Sequence, residues 1–145
     1  MILLQPDLIP INGSQFFLSK MYIYRWQIEG KSWRIVVRKG FITDIASVPR
    51  FAWSLTGINP DGLQRAAAVI HDLLYQWRGL PRPPAGAIQF FDDASQEWRD
   101  SDVRWTRVQC DELFRQIMTE AGETPWRIRL LFWAVRGFAL PAWNR

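Results

Sequence analysis

Apolar residues change their spacing partway along the chain. Up to residue 43 they fall in short runs rich in aromatic and β-branched side chains, the pattern of strands. Residues 15–20 (QFFLSK) and 21–27 (MYIYRWQ) form two such runs, Gly30 and Lys31 mark a turn, and residues 33–38 (WRIVVR) form a third that Gly40 ends. Short runs separated by turns pair most simply as an antiparallel meander. From Asp61 the interval lengthens to three or four residues. Leu63, Ala67, Ile70, Leu74 and Trp77 make a helical stripe, with Asp61 as N-cap and Gly79 as stop, over about residues 62–78. The run Ala66, Ala67 and Ala68 would let another element approach this helix closely.

The spacing predicts a second helix over about 103–121, capped by Ser101 or Asp102 and stopped by Gly122. Its apolar side is Val108, Leu113, Phe114, Ile117 and Met118. A third helix over about 125–139 opens with Pro125, whose fixed φ and missing N–H suit the first helical position. That helix is apolar nearly all round and is interrupted only by Arg127, Arg129 and Arg136. It is therefore buried on several faces or docked on a partner.

Between these elements, residues 44–60 read as a loop that still carries Val48, Phe51, Trp53 and Leu55 and so must pack down. Residues 80–86 hold three prolines and read as extended. Residues 92–102 set Asp92, Asp93, Glu97, Asp100 and Asp102 against Arg99 alone, which reads as a solvated acidic loop. Strands followed by helices give an α+β fold, an N-terminal antiparallel meander packed on about three C-terminal helices. It is read as one domain over 1–145: β-rich to 43, a loop over 44–60, helical from 61.

Composition narrows the chemistry. With 48% hydrophobic and 22% charged residues the chain is neither a disordered tail nor a coiled coil. A net charge of +4 and a pI near 9.7 fall short of a nucleic-acid-binding signal. The single cysteine, Cys110, allows no internal disulfide and no CxxC zinc site, and the single histidine, His71, excludes HExxH. Pro6 and Pro10 break the apolar N-terminus, which lacks a basic leader, so no signal peptide is expected, and no apolar run is long enough to predict a transmembrane helix. A reducing compartment fits best. Nine tryptophans are the unusual feature; indoles of this number fill a small core or face a partner.

A lone imidazole directs attention to its neighbours. His71 and Asp72 lie together in the first helix, with Tyr75 four and three positions on, so its hydroxyl can lie near either. Asp44 in the loop and Asp111 in the second helix are acids in apolar settings. Asp44, His71, Asp72 and Asp111 could together hold one divalent metal ion and activate water. Without metal, His71 could act as general base with an aspartate fixing its tautomer. The structural alternative has Asp44 capping the turn before Ser47, Asp72 paired with Arg50 or Arg65, and His71 satisfied in the core. Cys110 reads as a buried structural thiol rather than a nucleophile. There is no glycine-rich phosphate loop.

The segment Gly40-Phe41-Ile42-Thr43-Asp44-Ile45-Ala46-Ser47-Val48-Pro49-Arg50, followed by Trp53 and by Ala67-Ala68-Val69-Ile70-His71-Asp72-Leu73-Leu74-Tyr75, resembles the phage and prophage family catalogued as domain of unknown function 1353. Cys110-Asp111-Glu112-Leu113-Phe114 is similar to that family's Ala-Asp-x-x-Phe helix, with cysteine in the alanine slot, and Ala134-Val135-Arg136 lies in a similar C-terminal helix. The resemblance covers roughly residues 35–143. It places Thr43, Asp44, Ser47, His71, Asp72, Tyr75 and Asp111 on motif positions, with Pro49 and Arg50 in the loop signature, and implies a role in tailed phages that the family name does not specify.

Two functions follow as expectations. One is a phage-encoded, metal-assisted hydrolase in which Asp44, His71, Asp72 and Asp111 hold the ion or activate water and Tyr75 or Arg50 orients the substrate. The other is a non-catalytic tail or baseplate protein that self-associates or binds phage structural proteins through Trp126, Trp133 and Trp143. Host cytoplasm during assembly, or the virion itself, is the corresponding location. Membrane contact by residues 126–145, which hold three tryptophans, four arginines and no acid, is the weaker alternative.

Overall fold

The computed structural model describes residues 3–12, 15–44, 65–79, 87–138 and 143–144, with the side chains of Asp44 and Phe138 outside that description. Along the chain these form β1 (Leu8–Pro10), β2 (Gln15–Leu18), β3 (Tyr22–Ile28), β4 (Lys31–Val37), β5 (Ile42–Asp44), α1 (Arg65–Gln76), β6 (Ile88–Asp92), β7 (Glu97–Asp100), α2 (Arg107–Glu120) and α3 (Pro125–Phe138). The fold is α+β, with antiparallel sheets mainly in the N-terminal part and three helices in the C-terminal part.

The aromatic runs of β3 and β4 form a hairpin in which Ile28 pairs with Lys31. Its two-residue turn places both Glu29 (φ 50) and Gly30 (φ 80) in the left-handed region, as a hairpin of matching twist requires. Alternate residues then share one face: Tyr22, Tyr24 and Trp26 on β3 lie opposite Val37, Ile35 and Trp33 on β4, and Ile88 and Phe90 of β6 continue the rows. This face is the core side. Trp26 stacks on Tyr24 and Trp33 with ring centroids 5.6 and 6.3 Å away, and Trp105 meets Trp26 and Trp33 edge-on at 5.9 and 5.8 Å. Part of the tryptophan content thus fills the core.

Residues 92–102 correct the expectation of an acidic loop. β6 and β7 are a hairpin around residues 93–96 that joins the sheet in the order β3-β4-β6-β7, so strands also lie between the helices. β7 is the last strand of its sheet, and charges are compatible with a strand that is paired on one side and wet on the other. β1, β2 and β5 form a separate three-stranded sheet.

Every residue of α1 from Ala66 to Tyr75 is buried, as for a helix packed on all sides. It lies against α2, β5 and β4. Residues 61–64, including the expected cap Asp61, are outside the described residues. The stop at Gly79 is as expected: Arg78 (φ 49) and Gly79 (φ 80) turn left-handed, and the Gly79 N–H donates to the Leu74 carbonyl at 2.7 Å. α2 begins later than expected, because Ser101 N–H still donates to Ile88 O at 2.9 Å along β6. Its cap is Thr106, in a reciprocal capping box with Gln109. α3 opens at Pro125 as predicted. Among the described residues no helix is long and apolar enough to cross a membrane.

A Cβ on Gly79 would collide with the Trp105 carbonyl, whereas one on Gly122 (φ 85) would meet nothing within 4 Å. Gly122→Ala is expected to cost about 1–2 kcal/mol from its left-handed backbone alone. Gly79→Ala adds a backbone clash and should cost about 3 kcal/mol or more. Urea unfolding midpoints of the two variants check the order; equal losses would refute the close approach of Trp105.

Candidate functional site

Three helices meet at one carboxylate. Asp111 on α2 is fully buried. Its Oδ1 accepts from His71 Nε2 at 2.7 Å and from the Tyr75 hydroxyl at 2.6 Å, both on α1, and its Oδ2 accepts from Arg136 Nη1 on α3 at 2.8 Å. His71 and Tyr75 are one helical turn apart, so their rings lie against each other, tilted by 33°, with centroids 4.0 Å apart. Phe114, one turn beyond Asp111, also packs against the imidazole, with ring centroids 4.8 Å apart.

A second arginine ties the ends together. Arg107, the first residue of α2, donates from Nε to the Tyr75 hydroxyl at 3.0 Å and from Nη2 to the carbonyls of Val135 and Arg136 at 2.8 and 2.7 Å. Those carbonyls lie in the last turn of α3 as far as that helix is described. The cation also complements the negative end of the helix dipole.

The electrostatics follow from these contacts. Burial acts to raise the Asp111 pKa, but the hydrogen bonds from His71, Tyr75 and Arg136 and the charge of His71 outweigh it and hold the carboxyl below the ordinary carboxylate range. An ionised Asp111 only accepts, so the Nε2 hydrogen of His71 must be present, and in the neutral ring Nδ1 carries the lone pair. Burial, then the bond and charge of Asp111, push Tyr75 upward. Burial pushes the Cys110 thiol up to about 12, with the Asp111 charge adding to it, which makes it a structural thiol.

The expected site residues are therefore partly gathered. His71, Tyr75 and Asp111 converge. Asp72 is one position, about 100° of helix, away from His71; the Gln76 carboxamide donates to it at 3.4 Å and also to the Ile42 carbonyl of β5 at 3.3 Å. β5 carries the motif residue Thr43 and packs on α1, so the two motif segments meet at the level of the backbone. Ser47, Pro49 and Arg50 lie outside the described residues, as does the Asp44 side chain. Thr43 is fully buried, and its hydroxyl has no hydrogen-bond partner among the described residues. A valine would fill the same space without an unmet polar group, so this hydroxyl calls for a reason beyond packing.

A divalent metal does not fit Asp111 as a ligand. Both its oxygens already accept, one of them from a guanidinium, and the Nε2 of His71 is turned towards it as a donor. Asp111 has instead the chemistry of a partner that orients the imidazole. Among the described residues no three His, Cys, Asp or Glu side chains gather as a metal site. Arg107 and Arg136 were missed at the level of sequence. Arg136 had a signal, an arginine inside an apolar helix within the Ala134-Val135-Arg136 motif. Nothing in the sequence marks Arg107.

Of the expected interface residues, Trp126 and Trp133 are exposed at 48% and 64%. Trp143 instead packs edge-on against the Tyr75 ring at 5.2 Å.

A family model described as a protein of unknown function (DUF1353) matches residues 17–135. No curated protein and no solved structure matches the chain.

The pKa directions set the pH limits of the fold. Asp111 is more acidic folded than unfolded, so its contribution is present above the unfolded value of about 4 and is lost as pH falls through the folded one. Asp111→Asn is expected to lower stability at neutral pH by about 3 kcal/mol or more and to flatten the decline in acid. Cys110 and Tyr75 hold their protons more tightly when folded, so stability falls as pH rises above about 8.5, where the unfolded thiol ionises. Cys110→Ala should flatten that alkaline limb. Urea midpoints across pH test both, and an unchanged acid limb in Asp111→Asn would show that the carboxylate is not the buried hub.

Proposed function

The chain belongs to the DUF1353 family of proteins of unknown function, and from its site we propose that it is a hydrolase-like enzyme in which His71 transfers the proton. The observation that carries this reading is the 2.7 Å bond from His71 Nε2 to a buried carboxylate held ionised by three donors. Such a partner fixes the tautomer and stabilises the imidazolium that forms when the ring takes a proton from water or a hydroxyl group. Tyr75, Arg107 and Arg136 act as positioning residues, because they hold Asp111 and one another. The Thr43 hydroxyl, which lies on the strand that packs against α1 and has no hydrogen-bond partner among the described residues, supports the reading, as unsatisfied buried polar groups are a mark of functional sites. A phage or prophage setting, which the motif resemblance implies, is part of this proposal, with the host cytoplasm during assembly or the virion as the corresponding location.

The expected result is hydrolysis of at least one of three probes: a p-nitrophenyl ester, a p-nitrophenyl phosphodiester or purified peptidoglycan. His71→Asn should reduce it by about 10²–10⁴-fold with the fold intact by circular dichroism. Thr43→Val should lose activity at unchanged or raised stability, and it carries the test if His71→Asn unfolds. Absence of turnover on all three, or full activity in both variants, would sink the enzyme reading.

The second reading is a virion or assembly protein. It is favoured by the near-complete burial of His71, 1% exposed, beside indoles that are exposed. On that reading the network only locks three helices in place.

A further inference from the structure

Two adjoining surfaces remain apolar and carry opposite charge. On the outer side of α3, Trp126, Leu130 and Trp133 are 48%, 47% and 64% exposed. Their spacing of i, i+4 and i+7 aligns them in one row, the arrangement by which a helix seats in a groove. Arg129 is exposed beside the row, and no acidic residue occurs from Thr124 through Arg145.

The second surface is a groove of about 470 Å³ between the end of β3 and the outer side of α2. Trp26 and Leu113 line it, with Ile28 and Val108, 38% and 46% exposed, and Glu112 and Glu120. Glu112 is shared with Arg115 at 2.6 Å. Among the described residues neither Glu120 nor Arg129 is in an ion pair. Arg115 and Thr119 border both this groove and the cleft between α2 and α3 that Trp133 lines, so the basic row and the acidic groove belong to one continuous patch.

We propose that a second copy of this chain covers this patch, in a two-fold dimer that seats the α3 row of each copy in the β3–α2 groove of the other. A patch with a ridge beside a complementary groove is self-complementary under a half-turn, which is what an isologous interface requires. Charge selects the arrangement. Packing α3 on α3 would oppose like arginines, whereas packing α3 in the groove brings Arg129 to the carboxylates. An anionic membrane suits the row alone but would face the adjoining acidic groove with like charge. The dimer uses no residue of the His71 network, so it stands or falls separately from the enzyme reading.

Sedimentation velocity of the full chain across the micromolar range tests it. A concentration-dependent dimer is expected. Arg129→Glu, Glu120→Arg and Trp133→Ser, each a change at an exposed side chain, should each weaken it at least about tenfold while the far-ultraviolet circular dichroism of the dilute monomer stays that of the wild type. An equimolar mixture of the Arg129→Glu and Glu120→Arg chains should dimerise again, because each exchanged charge then meets its opposite across the interface. A wild-type chain that stays monomeric overturns the proposal, including one that instead pellets with phosphatidylserine vesicles. So does a dimer indifferent to these substitutions, or a mixture that fails to recover.

Discussion

The Asp111 carboxylate sits where three helices meet, and each helix contributes to holding it. α1 brings His71 and Tyr75, α3 brings Arg136, and α2 carries the acid itself. A charge removed from water costs several kcal/mol unless its lone pairs are filled. The observed placement of the three helices fills them with His71, Tyr75 and Arg136. Arg107 extends the constraint to the last described turn of α3 by donating to the carbonyls of Val135 and Arg136. Well-packed apolar side chains in place of such a network are often as stabilising. What the network adds over leucines is a defined geometry and an oriented imidazole.

α1 is the element through which the rest communicates. Buried from Ala66 to Tyr75, it has no solvated face on which to leave a polar side chain. His71 and Tyr75 are accordingly turned to α2, while Gln76 links Asp72 to the backbone of β5. The alanines at 66, 67 and 68 are part of the same arrangement, since small side chains let neighbouring elements come close enough for short hydrogen bonds. The left-handed exit at Gly79 then brings the chain against Trp105, which caps the aromatic side of the sheet.

Much of this was legible locally. The β3–β4 hairpin, the stop at Gly79 and the start at Pro125 rest on one or two residues whose backbone preferences leave few options. The β6–β7 hairpin was not legible, because its charges read as solvated loop and only pairing with β4 makes it a sheet edge. The α2 cap shifted to Thr106 for a similar reason, since residues near Ser101 are still held by β6. In the site, His71 and Asp111 stood out as polar residues in apolar frames. The partner of Asp111 on α3 stood out less, and Arg107 not at all.

The amino-acid sequence by itself determined the α+β class, the helix boundaries marked by glycine and proline, and the polar residues too costly to bury without partners. It did so because backbone preference and the cost of burying charge are properties of single residues and their near neighbours. The tertiary structure alone decided which acid meets the imidazole, and that two arginines from separate helices complete the set. Those contacts join residues tens of positions apart, and their distances depend on how whole elements pack rather than on any local pattern.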